Sequence, residues 1–306
     1  MVPDRQLSKI FIRNVTVLDC AVWDLQKGPI GRSWHVDVSW VGHTDEEGVV
    51  LDFSFAKQLA KRTIDEEFDH RLLVSEKVTR KTSAGRLSCY PHSTTPHDQR
   101  FLIETYPSSL AILPQEVLED LAINSRDRLE DTLAASILAR CPKNVRKVCI
   151  QLREHEDSSK TFYFNYLHSL KLHSGNCQRF HGHSNTIEVH SNGQLDLEKS
   201  SFAAQFLNNK YLVAADYLSV ENIEFPESLL SDVKSFEMDS DSFSWVSYMG
   251  SQGRVHLRVP KNRLLVMPEE STIENISRWI FETHFAGSEN LEVHAFEGLN
   301  KGSITP

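Results

Sequence analysis

The sequence predicts an α+β protein of two tandem domains, each with antiparallel strands and a pair of helices. Two repeated features carry this prediction. In each half a strand-like segment follows a short glycine-containing stretch, at 34–42 and at 185–193. In each half a helix-like segment that starts at a serine then precedes a strand, at 125–138 before 146–154 and at 271–282 before 291–298.

The two final strands close alike, on a glutamate. Side chains alternate along a strand, so Glu154 and Glu297 each share a face with the apolar residues of their own strand. Glu154 follows Glu130 by 24 residues, and Glu297 follows Glu274 by 23. This agreement indicates a duplication.

The domain boundary is expected in the polar stretch 155–160, which gives domains of 1–158 and 159–306. A helix is predicted over 54–68 in the first domain. Two stretches have the composition of loops or insertions, 88–100 and the serine-rich 228–251. Ser271 with Glu274 fits a capping box, which would start the helix of the second domain.

Composition excludes several classes of protein. The chain has 306 residues, 25% of them charged, and a formal net charge of -9, which argues against a nucleic-acid-binding surface. Its five cysteines are odd in number and lack the spacing of a disulfide framework, so a reducing compartment is expected. No signal peptide or membrane span is evident. We therefore expect a cytoplasmic protein with no nucleic-acid or membrane partner.

The segment 164–184 has the residue types of a metal site. His181 and His183 are two apart, so in a strand both imidazoles lie on one face. His168, in the preceding strand-like segment, is the predicted third ligand, and His173 is its competitor. Three imidazoles suit zinc and leave one position open for substrate.

Cys177 is the predicted reactive thiol, because it lies in a polar, histidine-rich turn where a metal and imidazoles would favour its thiolate. Cys20, Cys89 and Cys141 have no evident polar partners, and Cys149 lies on the opposite face of its strand from the apolar residues. These four are interpreted as structural or incidental. The polar-loop histidines His92 and His97 are interpreted as solvated.

These residues resemble the 6-pyruvoyltetrahydropterin synthase and 6-carboxytetrahydropterin synthase family. The family's F-x-x-x-H strand, cysteine and H-G-H are similar to Phe164–His168, Cys177 and 181–183. Its Asp-Phe pair, Asp-His dyad and T-x-E-N helix start look like Asp52-Phe53, Asp69-His70 and 272–275. The resemblance implies two tandem T-fold domains, each an antiparallel four-stranded sheet with two helices packed on one face.

The resemblance also divides the site between the halves. The first half has Ile30-Gly31-Arg32 in place of H-G-H and Asp19 in place of the first histidine, so it is interpreted as a degenerate domain without zinc that keeps Asp69-His70. The second half has the zinc ligands and Cys177, but its dyad region is interpreted as 215–217, with tyrosine replacing histidine. One composite site is therefore expected, within one chain or between chains.

The resemblance further implies a zinc-dependent lyase acting on 7,8-dihydroneopterin triphosphate. Cys177, Asp69 and His70 would be catalytic, and Glu297 or Glu154 would bind the pterin ring, with Thr272 a further substrate-binding residue. Family members are hexamers, so a trimer of tandem chains is expected.

The product is left open. The short Cys-x-x-x-His-Gly-His spacing favours 6-carboxy-5,6,7,8-tetrahydropterin synthase of queuosine synthesis, which also cleaves a side-chain carbon–carbon bond. The alternatives are a 6-pyruvoyltetrahydropterin synthase, a non-catalytic pterin-binding or scaffold protein, and a zinc-free nitrile reductase of the T-fold.

Overall fold

The computed structural model describes residues 7–81, 85–91, 94–154, 162–218, 242–297 and 301–306. The predicted boundary stretch 155–160, His92 and most of the serine-rich stretch, 228–241, lie outside the described residues.

The first half alternates long strands with helices. Its elements in chain order are β1 (Leu7–Asp24), β2 (Gly28–His43), α1 (Phe53–Glu67), β3 (Arg71–Ser75), β4 (Thr79–Lys81), β5 (Leu87–Cys89), β6 (Leu102–Thr105), β7 (Leu110–Leu113), α2 (Gln115–Ala122), α3 (Asp127–Leu138) and β8 (Val145–Arg153).

The second half repeats this order over its described residues. Its elements are β9 (Tyr163–His168), β10 (His181–Ser191), β11 (Gln194–Leu195), α4 (Leu197–Leu207), β12 (Lys210–Ala214), β13 (Phe243–Gly250), β14 (Gly253–Pro260), β15 (Leu264–Met267), α5 (Ile273–Ile280), β16 (Leu291–Phe296) and β17 (Gly302–Thr305). A π-helical turn, Phe281–Phe285, continues α5.

Each half builds one sheet, but neither sheet is the expected four-stranded antiparallel one. The strand orders are β7-β3-β1-β2-β8 and β15-β12-β9-β10-β16-β17. The long strands pair antiparallel, whereas β3 and β12 join the first strand of their halves in parallel. The physical reason is the connection, since α1 and α4 place β3 and β12 beside the first strand of each half instead of the second, which a short hairpin could not do.

A third sheet joins the halves. Its order is β13-β14-β6-β5-β4, and β14 of the second half pairs with β6 of the first, with His256 opposite Glu104. The interpretation of 88–100 and 228–251 as loops is therefore wrong in part, because their described ends contribute to β5 and β13. Three-residue strands such as β5 are too short for alternation to reveal.

The helices cover one face of each main sheet and bury its apolar side chains. Val189 and Val293 of the second sheet pack with Ile276 of α5, and all three are fully buried. Asp52 caps α1, because its carboxylate accepts from the Phe55 N–H at 2.8 Å. Among the described residues, no helix is long and apolar enough to cross a membrane.

The predicted capping box at Ser271 is wrong. Thr272 is the N-cap of α5 and its side chain accepts from the Asn275 N–H. Ser271 is instead fully buried, and its hydroxyl lies 3.4 Å from the Leu212 carbonyl oxygen. The helix starts one residue later, which frees Ser271 to contact His168 at the site described below.

The two halves meet at equivalent glycines. A Cβ placed on Gly31 would lie 2.2 Å from the Tyr166 carbonyl oxygen, and one on Gly182 would lie 2.6 Å from the Gly31 Cα. Ser184 completes the contact, since its hydroxyl donates to the Gly31 carbonyl at 3.0 Å. Only glycine allows backbones to approach this closely, so β2 and β10 cross where the two sequences carry their matched glycine.

Candidate metal centre and catalytic site

Three buried imidazoles meet at one point of the second sheet. His168 ends β9, and His181, directly opposite it, starts β10 with His183 on the same face. The Nε2 atom of His168 lies 3.0 Å from Nε2 of His181 and 3.0 Å from Nε2 of His183. The predicted third ligand is thus brought to the pair, whereas His173 is exposed and outside the cluster.

The hydrogen bonds of the rings leave the Nε2 lone pairs facing one another. His168 Nδ1 lies 3.1 Å from the Ser271 carbonyl oxygen, and His181 Nδ1 lies 2.8 Å from that of Arg179. His183 Nδ1 lies 3.2 Å from a carboxylate oxygen of Asp19. With each Nδ1–H facing an acceptor, three unprotonated nitrogens converge.

Such an arrangement fits a divalent cation. Lone pairs about 3 Å apart repel without a positive charge between them, and a tetrahedral zinc ion places its ligand atoms about 3.4 Å apart. Burial lowers the pKa of His168 and of His181 well below the ordinary value, and the neighbouring imidazoles lower both further. Both rings are therefore held neutral, the form that binds a metal.

The first half contributes Asp19, which is predicted above to stand in place of the first metal-binding histidine of the family. Asp19 is buried, accepts from the Ser33 hydroxyl and contacts His183. Burial raises its pKa, but His183 and Ser33 outweigh burial, and the pKa falls to about 2. The counterpart of His168 is instead Val22, since Val22 lies opposite Ile30 as His168 lies opposite His181.

The predicted dyad lies beside the histidine cluster and comes from the other half of the same chain. Asp69 accepts from the Asp19 N–H at 2.9 Å and contacts His70 Nδ1 at 2.5 Å. The His70 ring centre lies 4.5 Å from that of His181. His70 has φ of 54°, a left-handed conformation that is uncommon for a residue with a Cβ and is frequent at functional sites.

Cys177 completes a chain of polar contacts. It is half-buried in a short 3-10 helix between β9 and β10, and its thiol forms a hydrogen bond with His70. Burial lowers the pKa of His70, but Asp69 and Cys177 outweigh burial and raise it to about 10. Asp69, His70 and Cys177 therefore form a relay next to the histidine cluster, with members from both halves.

The second half's counterpart of the dyad is Asn208-Asn209, so the interpretation of 215–217 as the dyad region is wrong. The Asn165 N–H donates to Asn208 at 3.1 Å, as that of Asp19 donates to Asp69. Asn209 has φ of 60°, like His70. Both dyad positions directly follow the helix and precede β3 or β12.

Asp216 and Tyr217 instead hold Lys171. The Lys171 ammonium pairs with Asp216 and lies 4.7 Å from the centre of the Tyr217 ring, and the Lys171 N–H donates to the Tyr217 hydroxyl at 2.7 Å. These contacts fix the loop that follows His168. The pair thus has a structural role.

Arg263 lies against the start of β2, where its partner Pro29 directly precedes Ile30, the first-half counterpart of His181. Its guanidinium donates to the carbonyls of Lys27, Pro29 and Asn209, and to the side chain of Gln99. Burial lowers the pKa of Arg263 to about 10, and the side chain lies over the Phe101 ring. No sequence motif points to this residue. Arg263 ends the short turn before β15, and the residue at the same place in the first half is Ser109, which ends the turn before β7.

The two candidate pterin-binding glutamates lie at different places. Glu297 is about two-thirds buried, pairs with Lys301 at 3.2 Å and lies near Tyr166, whose ring stacks on His183. Glu154 pairs with Arg126 at 3.1 Å and lies near Tyr163, on the side of the first half that lacks the histidines. Thr272 caps α5 directly after the Ser271 carbonyl that holds His168.

All five cysteines are unpaired, and Cys20 directly follows Asp19 on β1. Burial raises the pKa of Cys20 and Cys89. His97 packs its ring against Phe243 at 5.2 Å rather than standing in solvent.

A sequence model of the 6-pyruvoyl tetrahydropterin synthase family matches this chain twice, over residues 30–156 and 157–298. The chain belongs to this family. The two matches follow one another along the chain, so the α+β fold is that of two tandem 6-pyruvoyl tetrahydropterin synthase domains.

The solved structures that the chain matches, all with TM-scores below 0.5, include members of the family. A catalytic-residue mutant of Plasmodium vivax 6-pyruvoyltetrahydropterin synthase is 15% identical, with 47% of this chain and 91% of that chain covered and a TM-score of 0.32. The Plasmodium falciparum protein is 15% identical over 48% and 90%, with a TM-score of 0.31. An uncharacterized protein from Wolinella succinogenes is 15% identical over 47% and 93%, at 0.28. No curated protein matches.

Proposed function

We propose that this chain is a zinc-dependent pterin synthase that acts on 7,8-dihydroneopterin triphosphate. The observation that carries the proposal is the meeting of three buried imidazoles with the Asp69–His70–Cys177 relay in one chain. Membership of the family supports the pterin class of substrate. The contacts favour a composite site within one chain over one between chains.

The metal would be held by His168, His181 and His183. A bound zinc ion would supply a Lewis acid for side-chain oxygens of the substrate and stabilise charge that develops on them. The chain's own residues orient this centre, because the carbonyls of Ser271 and Arg179 fix two of the rings.

Cys177 would remove a proton from the substrate side chain, and His70, as the imidazolium, would donate a proton at the neighbouring position. Asp69 holds His70 Nδ1 at 2.5 Å, so the other ring nitrogen is the one that exchanges protons. The raised pKa of His70 favours the imidazolium, which places a positive charge beside the Cys177 thiol.

Glu297 would bind the pterin ring, since it lies on the side of Tyr166 and His183 whereas Glu154 does not. A carboxylate pairs with the amino and ring N–H groups of a pterin through two parallel, charge-assisted hydrogen bonds. Lys301 shields Glu297 in the free protein, and the substrate would replace this contact.

Two reactions are candidates. The first is that of 6-carboxytetrahydropterin synthase, and the second is elimination of triphosphate to give the 6-pyruvoyl product. Mass spectrometry of the product from zinc-loaded protein separates them, because only the first reaction also releases acetaldehyde. Absence of turnover would favour a non-catalytic pterin-binding protein.

Three substitutions test the site. Cys177→Ala is expected to lose turnover and keep zinc, whereas His183→Ala loses both, and His70→Ala lowers turnover about 100-fold or more with zinc retained. Cys149→Ala is the matched control, because Cys149 is also a half-buried free thiol but lies on β8. Full activity of His70→Ala would refute the composite site while leaving the metal centre intact.

A further inference from the structure

A second group of metal-binding side chains lies on the second sheet, on the face away from its helices. Glu188 and His190 are two apart on β10, and Glu292 and His294 are two apart on β16. Strand alternation puts each pair on one face. In the β10–β16 register Glu188 lies opposite His294, and His190 lies opposite Glu292.

The donor atoms of this cluster are close together. One ligand atom each from Glu188, His190 and His294 lies within 4.8 Å of the others. His190 Nε2 is 3.0 Å from Glu188, and His294 Nε2 is 2.9 Å from Glu292. The carboxylates thus orient both imidazoles, as carboxylates do around protein-bound metals.

The imidazoles have room to adjust. Their rings stack with centres 4.3 Å apart and planes at 17°, so two nitrogens reach one ion only after the rings tilt. The side chains of His190 and His294 are 22% and 20% exposed, which leaves them accessible and able to turn.

The charge of the cluster also favours a cation. It holds two carboxylates, and in the described part of the chain neither forms an ion pair with a lysine or an arginine. Two imidazoles with a carboxylate are a ligand set typical of zinc and neighbouring first-row divalent ions.

The first sheet has no such cluster at the same place. The equivalent register pairs Asp37 with Gln151 and Ser39 with Cys149, and Asp37 is bound by Arg153. The donor set is therefore particular to the second half rather than a general feature of the fold.

We propose that Glu188, His190 and His294 bind a second zinc ion, with Glu292 orienting His294. This site is separate from the three-histidine centre, because its side chains lie further along β10, seven residues beyond His183 at His190. It does not depend on the proposed pterin chemistry.

The test counts zinc bound by the purified full chain after removal of metal and equilibrium dialysis against zinc alone. The wild type is expected to bind about two ions per chain, and His190→Ala/His294→Ala about one. His173→Ala is the matched control, because it removes an exposed imidazole and is expected to leave the count unchanged.

Two further variants separate the sites. His168→Ala/His183→Ala removes the three-histidine centre and is expected to keep one ion, and added zinc should still raise its melting temperature. Glu188→Gln/Glu292→Gln keeps both imidazoles of the cluster and is expected to weaken binding about tenfold or more. Circular dichroism verifies that each variant is folded. Equal zinc counts for the wild type and folded His190→Ala/His294→Ala would overturn the second site, whatever the three-histidine centre does.

Discussion

The orientation of each metal-facing imidazole depends on one acceptor behind it. Two of these acceptors are backbone carbonyls of the second half, but the third is the carboxylate of Asp19 from the first half. A charged acceptor both sets the tautomer of His183 and raises its basicity as a ligand. The first half thus contacts the three-histidine cluster without supplying one of its imidazoles.

Replacement of Asp19 by asparagine should therefore weaken zinc binding. The amide keeps the shape but loses the charge behind His183, so we expect affinity to fall about 10- to 100-fold. Competition with a chelator of known affinity measures it. Asp131→Asn, on the exposed side of α3, is the control, and equal affinity of Asp19→Asn and wild type would contradict this role.

The site residues that have a local sequence pattern could be predicted from the sequence. Strand alternation places His181 and His183 on one face, and Asp69-His70 is a recognisable pair. The role of Asp19 has no such signature, since it depends on a contact between sequence positions 164 residues apart. Asn208-Asn209 was missed because two asparagines before a strand also read as an ordinary turn.

Among the elements, β15 and its preceding turn distinguish the two halves most clearly. Arg263 in that turn joins three backbone carbonyls from both halves, where the first half has Ser109. A buried guanidinium with several acceptors is costly to remove, because the acceptors are left without partners. The element therefore stabilises the contact between the halves.

Arg263→Met should lower the free energy of unfolding by at least about 3 kcal/mol, because several buried carbonyls lose a charged donor. Urea denaturation measures the loss. Arg254→Met, at an exposed position of β14, should change stability by less than about 0.5 kcal/mol. Similar losses for both variants would show that the buried contacts of Arg263 contribute little.

The sheet that joins the halves should respond to acid through His256. Burial lowers the pKa of His256, Arg86 and Arg254 lower it further, and it reaches about 4. Glu104 lies opposite and Ser247 contacts the ring at 3.0 Å. The unfolded pKa is about 6.5, so the neutral ring stabilises the fold fully above that pH and loses this contribution as pH falls toward 4.

His256→Gln removes this dependence. Between pH 7 and pH 4.5 the wild type should lose about 2 kcal/mol more stability than the variant, as measured by urea denaturation at each pH. Parallel pH curves for the two proteins would mean that His256 does not titrate in this range.

Over the whole molecule, the halves are held together at the crossing of β2 and β10. The contact involves Gly31 of one half and Gly182 of the other, so equivalent positions of the duplicated domains touch. The same crossing brings Asp19 to His183 and His70 to His181. The duplication was visible in the sequence, but this juxtaposition was not, because spacing within each half carries no information about how two domains dock.

Gly31→Ala should disturb the docking and, through it, the site. The added Cβ would meet backbone atoms at 2.2 to 2.7 Å, which cannot move as a side chain can. We expect a loss of about 1–3 kcal/mol in unfolding free energy together with reduced turnover. Gly48→Ala is the control, since its Cβ would meet no atom within 4 Å and the change adds only the backbone strain of a positive φ. Unchanged turnover of Gly31→Ala would show that activity does not depend on the contact between β2 and β10.

The buried guanidinium of Arg263 makes the difference between the two halves hard to reverse by mutation. A second three-histidine cluster, in the first half, would need imidazoles at the places of Val22, Ile30 and Arg32. A single imidazole at buried Val22 or Ile30 would leave a polar group without a partner. Stepwise mutation toward two equivalent halves therefore passes through less stable chains.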